Sequence, residues 1–99
     1  MASDTGCWRL VRDMSSTAGE FERALRLAAP APVLAMPDGA LRLNHDGVEL
    51  TIRLSCTGKR VIAGLSLPKL QAEYEFRGPR DTANQLLDRL DLAMRRGGG

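Results

Sequence analysis

Aromatic side chains are scarce in this chain, where they make up 4% of the residues. A core must therefore be built mainly from aliphatic side chains, and a hydrophobic share of 43% is enough to supply one. The length of 99 residues predicts one small globular domain that spans residues 1–99. We expect its two ends, residues 1–6 and 97–99, to be disordered.

Histidine and cysteine are also rare, since His45 is the only histidine and Cys7 and Cys56 are the only cysteines. Metal sites need clusters of such ligands, so we expect neither a metal nor another cofactor. The two cysteines are predicted to be reduced, buried thiols rather than a disulfide framework. His45 next to Asp46 is interpreted as an exposed turn residue. No phosphate-binding glycine loop or nucleophile motif is present, so no catalytic residue is assigned and a non-enzymatic role is favoured.

Long apolar runs and a charge excess of one sign are missing as well. No run approaches the roughly 18 residues that a membrane span requires. The first residues, MASDTGCWRL, lack the apolar segment of a signal peptide. We therefore expect a cytoplasmic protein with no membrane partner. The net charge is only +2 and acids alternate with bases along the chain, so nucleic acid is not an expected partner.

Strict alternation of apolar and polar residues dominates the stretch 40–77. Such alternation, interrupted by glycine and proline, is typical of half-buried strands. The predicted turns are Asp46-Gly47, Thr57-Gly58 and Pro68-Lys69, which divide the stretch into an antiparallel meander of four strands. Each turn must contain an even number of residues, because a slip of one residue would move a strand's apolar side chains to the other face. With two-residue turns, the expected facing pairs include Leu43 with Leu50, Leu54 with Val61, and Leu67 with Leu70.

Two helices and one further strand are predicted outside the meander. Residues 7–14 alternate imperfectly, as an edge strand does. Thr17 followed by Glu20 fits a capping box at the start of a helix over about 17–29, which ends before Pro30. A continuous apolar stripe predicts a second helix over about 81–96, capped by Asp81 or Thr82. Residues 33–36 are interpreted either as loop or as a short strand that pairs with the start of 40–45.

These elements predict an α+β fold in the order β-α-β-β-β-β-α. One face of the sheet is apolar, and both helices are amphipathic. We therefore expect a two-layer sandwich in which both helices pack on that face of the meander.

The opposite face of the predicted sheet is the one place where the sequence suggests a function. The third predicted strand contributes only small or apolar groups there, which would form a shallow trough between charged neighbours. An interior glycine often marks the close approach of another chain, although an ordinary solvated face is the alternative. The candidate interaction residues are Arg42, Thr51, Arg53, Ile62, Gly64, Ser66, Glu73 and Glu75.

Three functions are compatible with these predictions. The first is a non-enzymatic binding module that uses the exposed sheet face to contact a protein partner or a second copy of the chain. The second is a small-ligand carrier or enzyme with a pocket between helices and sheet, near Trp8, Tyr74 and Cys56. The third is nucleic-acid binding through the sheet.

Overall fold

The computed structural model describes the backbone of residues 5–97 and the side chains of 6–59 and 61–94. It has the predicted α+β fold, in which two helices cover one antiparallel sheet of five strands. The order β-α-β-β-β-β-α is observed, but 40–77 contains three strands rather than the predicted four, and a short strand at Leu34–Ala35 is the additional one. The elements are β1 (Thr5–Met14), α1 (Ala18–Ala28), β2 (Leu34–Ala35), β3 (Leu41–His45), β4 (Val48–Ile62), β5 (Leu65–Pro79) and α2 (Arg80–Gly97). The strands lie side by side in the order β1-β5-β4-β3-β2.

Both predicted helices are confirmed, and the first one begins as expected. The Thr17 hydroxyl accepts a hydrogen bond from the Glu20 backbone N–H at 3.1 Å, and the Glu20 carboxylate accepts one from the Thr17 N–H at 2.9 Å. This capping box satisfies two N–H groups that the first helical turn cannot pair itself. The second helix begins at Arg80, so Asp81 and Thr82 lie inside its first turn and the predicted cap is wrong.

The predicted turn at Asp46-Gly47 is confirmed. Asp46 has φ 52° and Gly47 has φ 81°, the two positive values that a type I′ hairpin turn requires. The turn joins β3 to β4, and Leu43 faces Leu50 as expected. Asp and Gly both tolerate this backbone region, which explains why the sequence signal was reliable here.

The other two predicted turns are wrong, because β4 and β5 are two long strands of 15 residues each. Thr57 is the extra residue of a bulge, where the register shifts between Cys56 and Gly58. Pro68 lies within β5, opposite Lys59. The strand tolerates a proline there because β1 pairs with β5 only from Leu70 onward, so this part of β5 has a neighbour on one side.

The true hairpin turn between these strands is Ala63-Gly64. Its φ values are 51° and 82°, again the type I′ combination. The predicted pairs across the false turns are wrong, since Leu54 faces Ala72 rather than Val61, and Leu67 faces Arg60 rather than Leu70.

One face of the sheet carries the core, and both helices pack on it as predicted. Phe21 and Leu25 of α1 belong to the same buried cluster as Leu86 and Leu90 of α2 and the inward residues of the strands. Aromatic side chains cross this core: Trp8 stacks on Phe76 at 4.5 Å between ring centroids, and Phe21 meets Tyr74 edge to face at 6.4 Å. The scarce aromatics are thus concentrated at the interface between helices and sheet.

Strands β1 and β2 form the two edges of the sheet. An edge position for β1 agrees with the prediction, and residues 34–35 form a short strand paired with β3, which is one of the two predicted alternatives for this segment. Thr5 and Gly6 lie at the start of β1 and Gly97 at the end of α2, while 1–4 and 98–99 lie outside the described residues. Both cysteines are free thiols, but both are exposed, so the prediction that they are buried is wrong.

Candidate functional site

The predicted interaction residues separate into two groups in the structure. Five of them lie on the outer face of the sheet, opposite the helices, in the part of β4 and β5 that the other strands flank; we call this part the sheet body. There Thr51 pairs with both Arg42 and Glu75, and Arg53 pairs with Glu73. The other three lie at the far end of the β4–β5 hairpin. The predicted trough is therefore wrong, because β4 pairs directly with 65–79 and no strand formed by 61–67 runs between them. The three displaced residues are Ile62, Gly64 and Ser66.

Charged side chains on the outer face are paired with one another. Glu75 is the centre of the network, with its carboxylate 3.4 Å from the Cys7 thiol, 3.4 Å from Arg53 and 3.6 Å from Arg77. The Cys7 hydrogen bond is the main cause that holds the pKa of Glu75 below its ordinary value, and the neighbouring arginines add to it. The other ion pairs are Arg9–Glu73, Arg42–Glu49 and Arg53–Asp38, at 3.6–3.7 Å.

Thr51 is buried beneath these longer side chains, contrary to its predicted exposure. A hollow of about 270 Å³ lies above it. The lining of the hollow consists of Met36, Pro37, Asp38, Ala40, Arg42, Thr51 and Arg53. Within the described residues, the outer face thus offers a small hollow in a surface whose charges already compensate each other.

The far end of the β4–β5 hairpin, which we call the arm (residues 57–69), projects beyond the rest of the sheet. Strand β3 pairs with β4 only as far as Ile52, and β1 pairs with β5 only from Leu70. The arm therefore consists of two strands that pair only with each other. It extends the molecule to 55 Å in length, against 25 and 23 Å in the other two directions.

The surface of the arm combines exposed apolar side chains with basic residues. Val61 is 71% exposed, Ile62 50% and Leu65 65%. Lys59 and Lys69 lie on the arm, farther from the turn than these apolar residues, and both are exposed or half-buried. By sequence, residues 55–72 contain three basic residues and no Asp or Glu. Neither lysine forms an ion pair among the residues that the structure describes.

A cleft of about 640 Å³ lies between α1, the end of β1 and the second half of α2. At its polar side, Arg12 donates a 2.6 Å hydrogen bond to Asp91 and lies 6.0 Å from the centre of the Tyr74 ring. Burial raises the pKa of Tyr74 to about 12; the Asp91 carboxylate adds to this rise and Arg12 opposes it. The phenol therefore stays protonated well above its ordinary titration range.

The cleft corresponds only in part to the predicted pocket. Tyr74 lines it, but Trp8 and Cys56 do not. Trp8 is instead covered by Phe76 on one side and by the Arg80 guanidinium, which lies 4.6 Å from its ring centre. Cys7 and Cys56 are far apart, because their partners on β5, Arg77 and Leu70, are seven residues apart along the strand.

His45 lies beside Asp46 at the turn between β3 and β4. His45 Nε2 lies 3.3 Å from Asp46 Oδ2, because the left-handed turn brings the two side chains together, and His45 is half-buried rather than exposed. Among the described residues, no group of three or more His, Cys, Asp or Glu side chains is placed to hold a metal ion. Neither helix, over its described length, is long and apolar enough to cross a membrane.

Comparison with known proteins provides no further indication of function. The chain matches no protein-family model, no curated protein and no solved structure.

The arm is the functional candidate that sequence reasoning missed. Its apolar residues alternate like those of a core strand, and Gly58 and Pro68 resemble turn residues. Two signals could have identified it: the Ala63-Gly64 dipeptide midway between them, and the lack of any acidic residue over 55–72. An interior strand of this sheet would have no reason to avoid acids on its outer face.

Proposed function

We propose that this protein is a non-enzymatic binding module and that the arm is the element that contacts its partner. The observation that carries the proposal is the exposure of Val61, Ile62 and Leu65 at the end of a projecting two-stranded ribbon. Scattered single apolar residues on a surface need no explanation, but three neighbouring ones at one extremity make the tip of the ribbon apolar. The sequence grounds given above favour the cytoplasm as its location.

The low stability expected of an isolated hairpin supports the arm as an element that a partner stabilises on binding. A hairpin of two strands is at best marginally stable in water without a layer packed against it. Beyond Ile52 and Leu70 the arm has no third strand, and its large apolar side chains gain nothing from the core. Contact with a partner would remove this apolar surface from water and order the ribbon at the same time.

The outer face of the sheet body is the weaker contact surface. Arg42, Arg53 and Glu75 are engaged in ion pairs with neighbours on the same face. A partner would have to break or cover these pairs, and surface pairs of this kind contribute about 0–1 kcal/mol each. Ile62, Gly64 and Ser66, which the sequence assigned to that face, belong to the arm and stay in the proposal.

Site-specific photo-crosslinking in living cells tests the proposal. A photoreactive phenylalanine derivative is placed at Ile62 in the full chain, and at Leu92 as a matched control. The two positions are almost equally exposed, at 50% and 53%, but Leu92 lies on α2 and is not part of the arm. We expect covalent adducts from position 62 in clear excess over position 92, identified by mass spectrometry.

Equal or absent adduct yields at the two positions would overturn the proposal. An adduct of twice the chain mass would identify a second copy as the partner. Circular dichroism of both labelled chains establishes that each is folded before the comparison is made.

The cleft between the helices favours a second candidate function, the carriage of a small ligand. Its volume of about 640 Å³ lies in the range of small-molecule sites, and its lining joins apolar side chains to the Arg12–Asp91 pair and the Tyr74 phenol. Native mass spectrometry of the purified chain should then reveal a bound small molecule. The variant Ala24→Trp fills the cleft and should lose it, whereas a chain that carries no ligand contradicts this function.

A further inference from the structure

We propose that the arm binds the surface of an anionic lipid bilayer, with its tip inserted at the boundary between headgroups and acyl chains. This inference rests on the proposed function, because it names the partner of the same element. It departs from the expectation of no membrane partner, which depended on the absence of a spanning segment. Binding at a surface needs only a small exposed apolar patch next to basic residues.

Apolar side chains occupy both faces of the ribbon at its tip. Val61 pairs with Ser66, and Ile62 pairs with Leu65. Successive residues of a strand point to opposite faces, so Val61 lies on one face while Ile62 and Leu65 lie on the other. All three are at least half exposed. A flat protein surface could cover only one face of the ribbon, whereas a fluid apolar phase surrounds the tip and solvates both.

Charge and apolarity are separated along the length of the arm. Counting from the Ala63-Gly64 turn, the three exposed large apolar residues belong to the first two residue pairs, Arg60 and Leu67 form the third, and Lys59 and Lys69 belong to the fourth and fifth. At a rise of roughly 3.4 Å per residue, the apolar part is about 7 Å deep and the lysines lie about 14–17 Å from the turn. Interfacial elements insert about 5–10 Å, so the lysines would stand at the level of the lipid phosphates.

The distribution of charge over the whole chain orients the arm toward an anionic surface. The net charge is +2, and residues 55–72 contain three basic residues and no acid, so the remainder of the chain has a net charge of −1. An anionic surface would therefore attract the arm and not the body of the protein. Cytoplasmic leaflets carry such a negative surface potential.

Nucleic acid fits this arrangement less well. The basic residues stand behind the apolar tip, so an approaching duplex would meet Val61, Ile62 and Leu65 before any lysine. Phosphate contacts supply most of the affinity in such complexes, and the arm could reach them only from its base.

Vesicle flotation tests the inference with the full chain. Vesicles of phosphatidylcholine and phosphatidylserine are compared with vesicles of phosphatidylcholine alone, at low and at physiological salt. We expect the chain to float only with the anionic vesicles and to bind less at the higher salt concentration. Lys59→Gln and Lys69→Gln should each lower the partition coefficient about fivefold, and Ile62→Ser should abolish flotation. Leu92→Ser, the equally exposed control on α2, should float like the unaltered chain.

A fluorescent label reports whether the tip enters the bilayer. Ile62→Cys is labelled with an environment-sensitive dye in a Cys7→Ser, Cys56→Ser background, and Leu92→Cys is labelled in the same way. We expect a blue shift and a rise in emission on anionic vesicles from position 62 only. These substitutions lie outside the core, and circular dichroism verifies that each variant is folded.

The outcomes separate this inference from the proposed function. No flotation, or equal loss of flotation in Ile62→Ser and Leu92→Ser, overturns the membrane proposal. Protein or nucleic-acid adducts from position 62 in cells, without vesicle binding, would overturn it while leaving the arm as the contact element. If position 62 gives no adduct of any class, lipid included, the proposed function is overturned as well.

Discussion

Ile52 and Ile62 lie ten residues apart on the same strand, yet Ile52 is completely buried and half of Ile62 is exposed. Ile52 faces Tyr74 in the core, whereas Ile62 faces Leu65 at the tip of the arm. One strand thus serves two purposes, because its first part is covered by helices and its second part extends past them.

The same substitution at these two positions should therefore have different effects. Ile52→Ala removes buried methyl groups and leaves a cavity, so the free energy of unfolding should fall by about 2–4 kcal/mol. Ile62→Ala should change it by less than about 0.5 kcal/mol. Urea denaturation followed by circular dichroism measures both. Equal destabilisation by the two variants would mean that the arm packs against the core.

Gly78 lies against the β3–β4 turn, where no side chain fits. A Cβ atom on Gly78 would stand 2.5 Å from the Gly47 carbonyl oxygen, and its φ of 133° is rarely adopted by other residues. Gly78→Ala should lower the free energy of unfolding by about 2–4 kcal/mol. Gly6 on β1 pairs with Gly78 on β5, but the space around Gly6 is open. Gly6→Ala is therefore the matched control and should change the free energy of unfolding very little. Thermal denaturation of the two variants compares them directly.

Tyr74 should make the protein less stable at alkaline pH. Its folded-state pKa of about 12 exceeds the ordinary value of 10.0, so its contribution is complete below pH 10 and is lost as the pH rises toward 12. Between about pH 9 and about pH 11 the unaltered chain should lose about 1 kcal/mol more than Tyr74→Phe. Tyr74 is the only tyrosine, so the absorbance of tyrosinate reports its titration directly. A midpoint near 10 would contradict its burial.

The Cys7 thiol should control the titration of Glu75. Their hydrogen bond of 3.4 Å is the main cause that lowers the pKa of Glu75 below its ordinary value of 4.5. The stabilisation is present above that ordinary value and is lost as the pH falls through the lowered one. Cys7→Ala should raise the titration midpoint of the Glu75 carboxyl in NMR spectra. Cys56→Ala, at the exposed cysteine far from Glu75, should leave the midpoint unchanged.

A residue that tolerates positive φ should stabilise the turn of the arm at position 63 more than the alanine does. Ala63 adopts a φ of 51°, which costs a residue other than Gly, Asn or Asp about 1–2 kcal/mol. Ala63→Asn should therefore stabilise the ribbon and slow hydrogen exchange of the amides over 58–68 by about fivefold. Ala63→Val, with a β-branched side chain, should accelerate it. If both variants exchange alike, Ala63 does not form the turn.

Local sequence signals predicted the structure correctly where a residue pattern is compatible with only one kind of local backbone structure. Thr17 and Glu20 identified the helix start, since a hydroxyl and a carboxylate at that spacing satisfy free N–H groups. Asp46-Gly47 identified a type I′ turn, because both residues tolerate positive φ. The same type of signal failed at Gly58, where positive φ allows a bulge instead of a turn.

The candidate site depended on a register that the sequence leaves open. Alternation predicts the same inward face for most of 48–77 whether the stretch folds as three short strands or as two long ones, because residues 48–56 and 70–77 keep their parity in both arrangements. The pairings between β4 and β5, such as Leu54 with Ala72, distinguish the two, and they join residues far apart in the chain. The wrong choice placed Ile62, Gly64 and Ser66 on the outer face of the sheet instead of on the arm.

The sequence by itself determined the α+β class, the element order, both helices and the apolar face of the sheet, because periodicity and capping are local properties. Only the tertiary structure decided where β4 turns into β5 and how far the helices reach along that hairpin. The part of the hairpin that the helices cover depends on packing between elements distant in the chain. It decides which apolar residues are buried in the core and which stay exposed. Ile52 lies under the helices and stabilises the fold, while Ile62 lies beyond them and is left free to contact a partner.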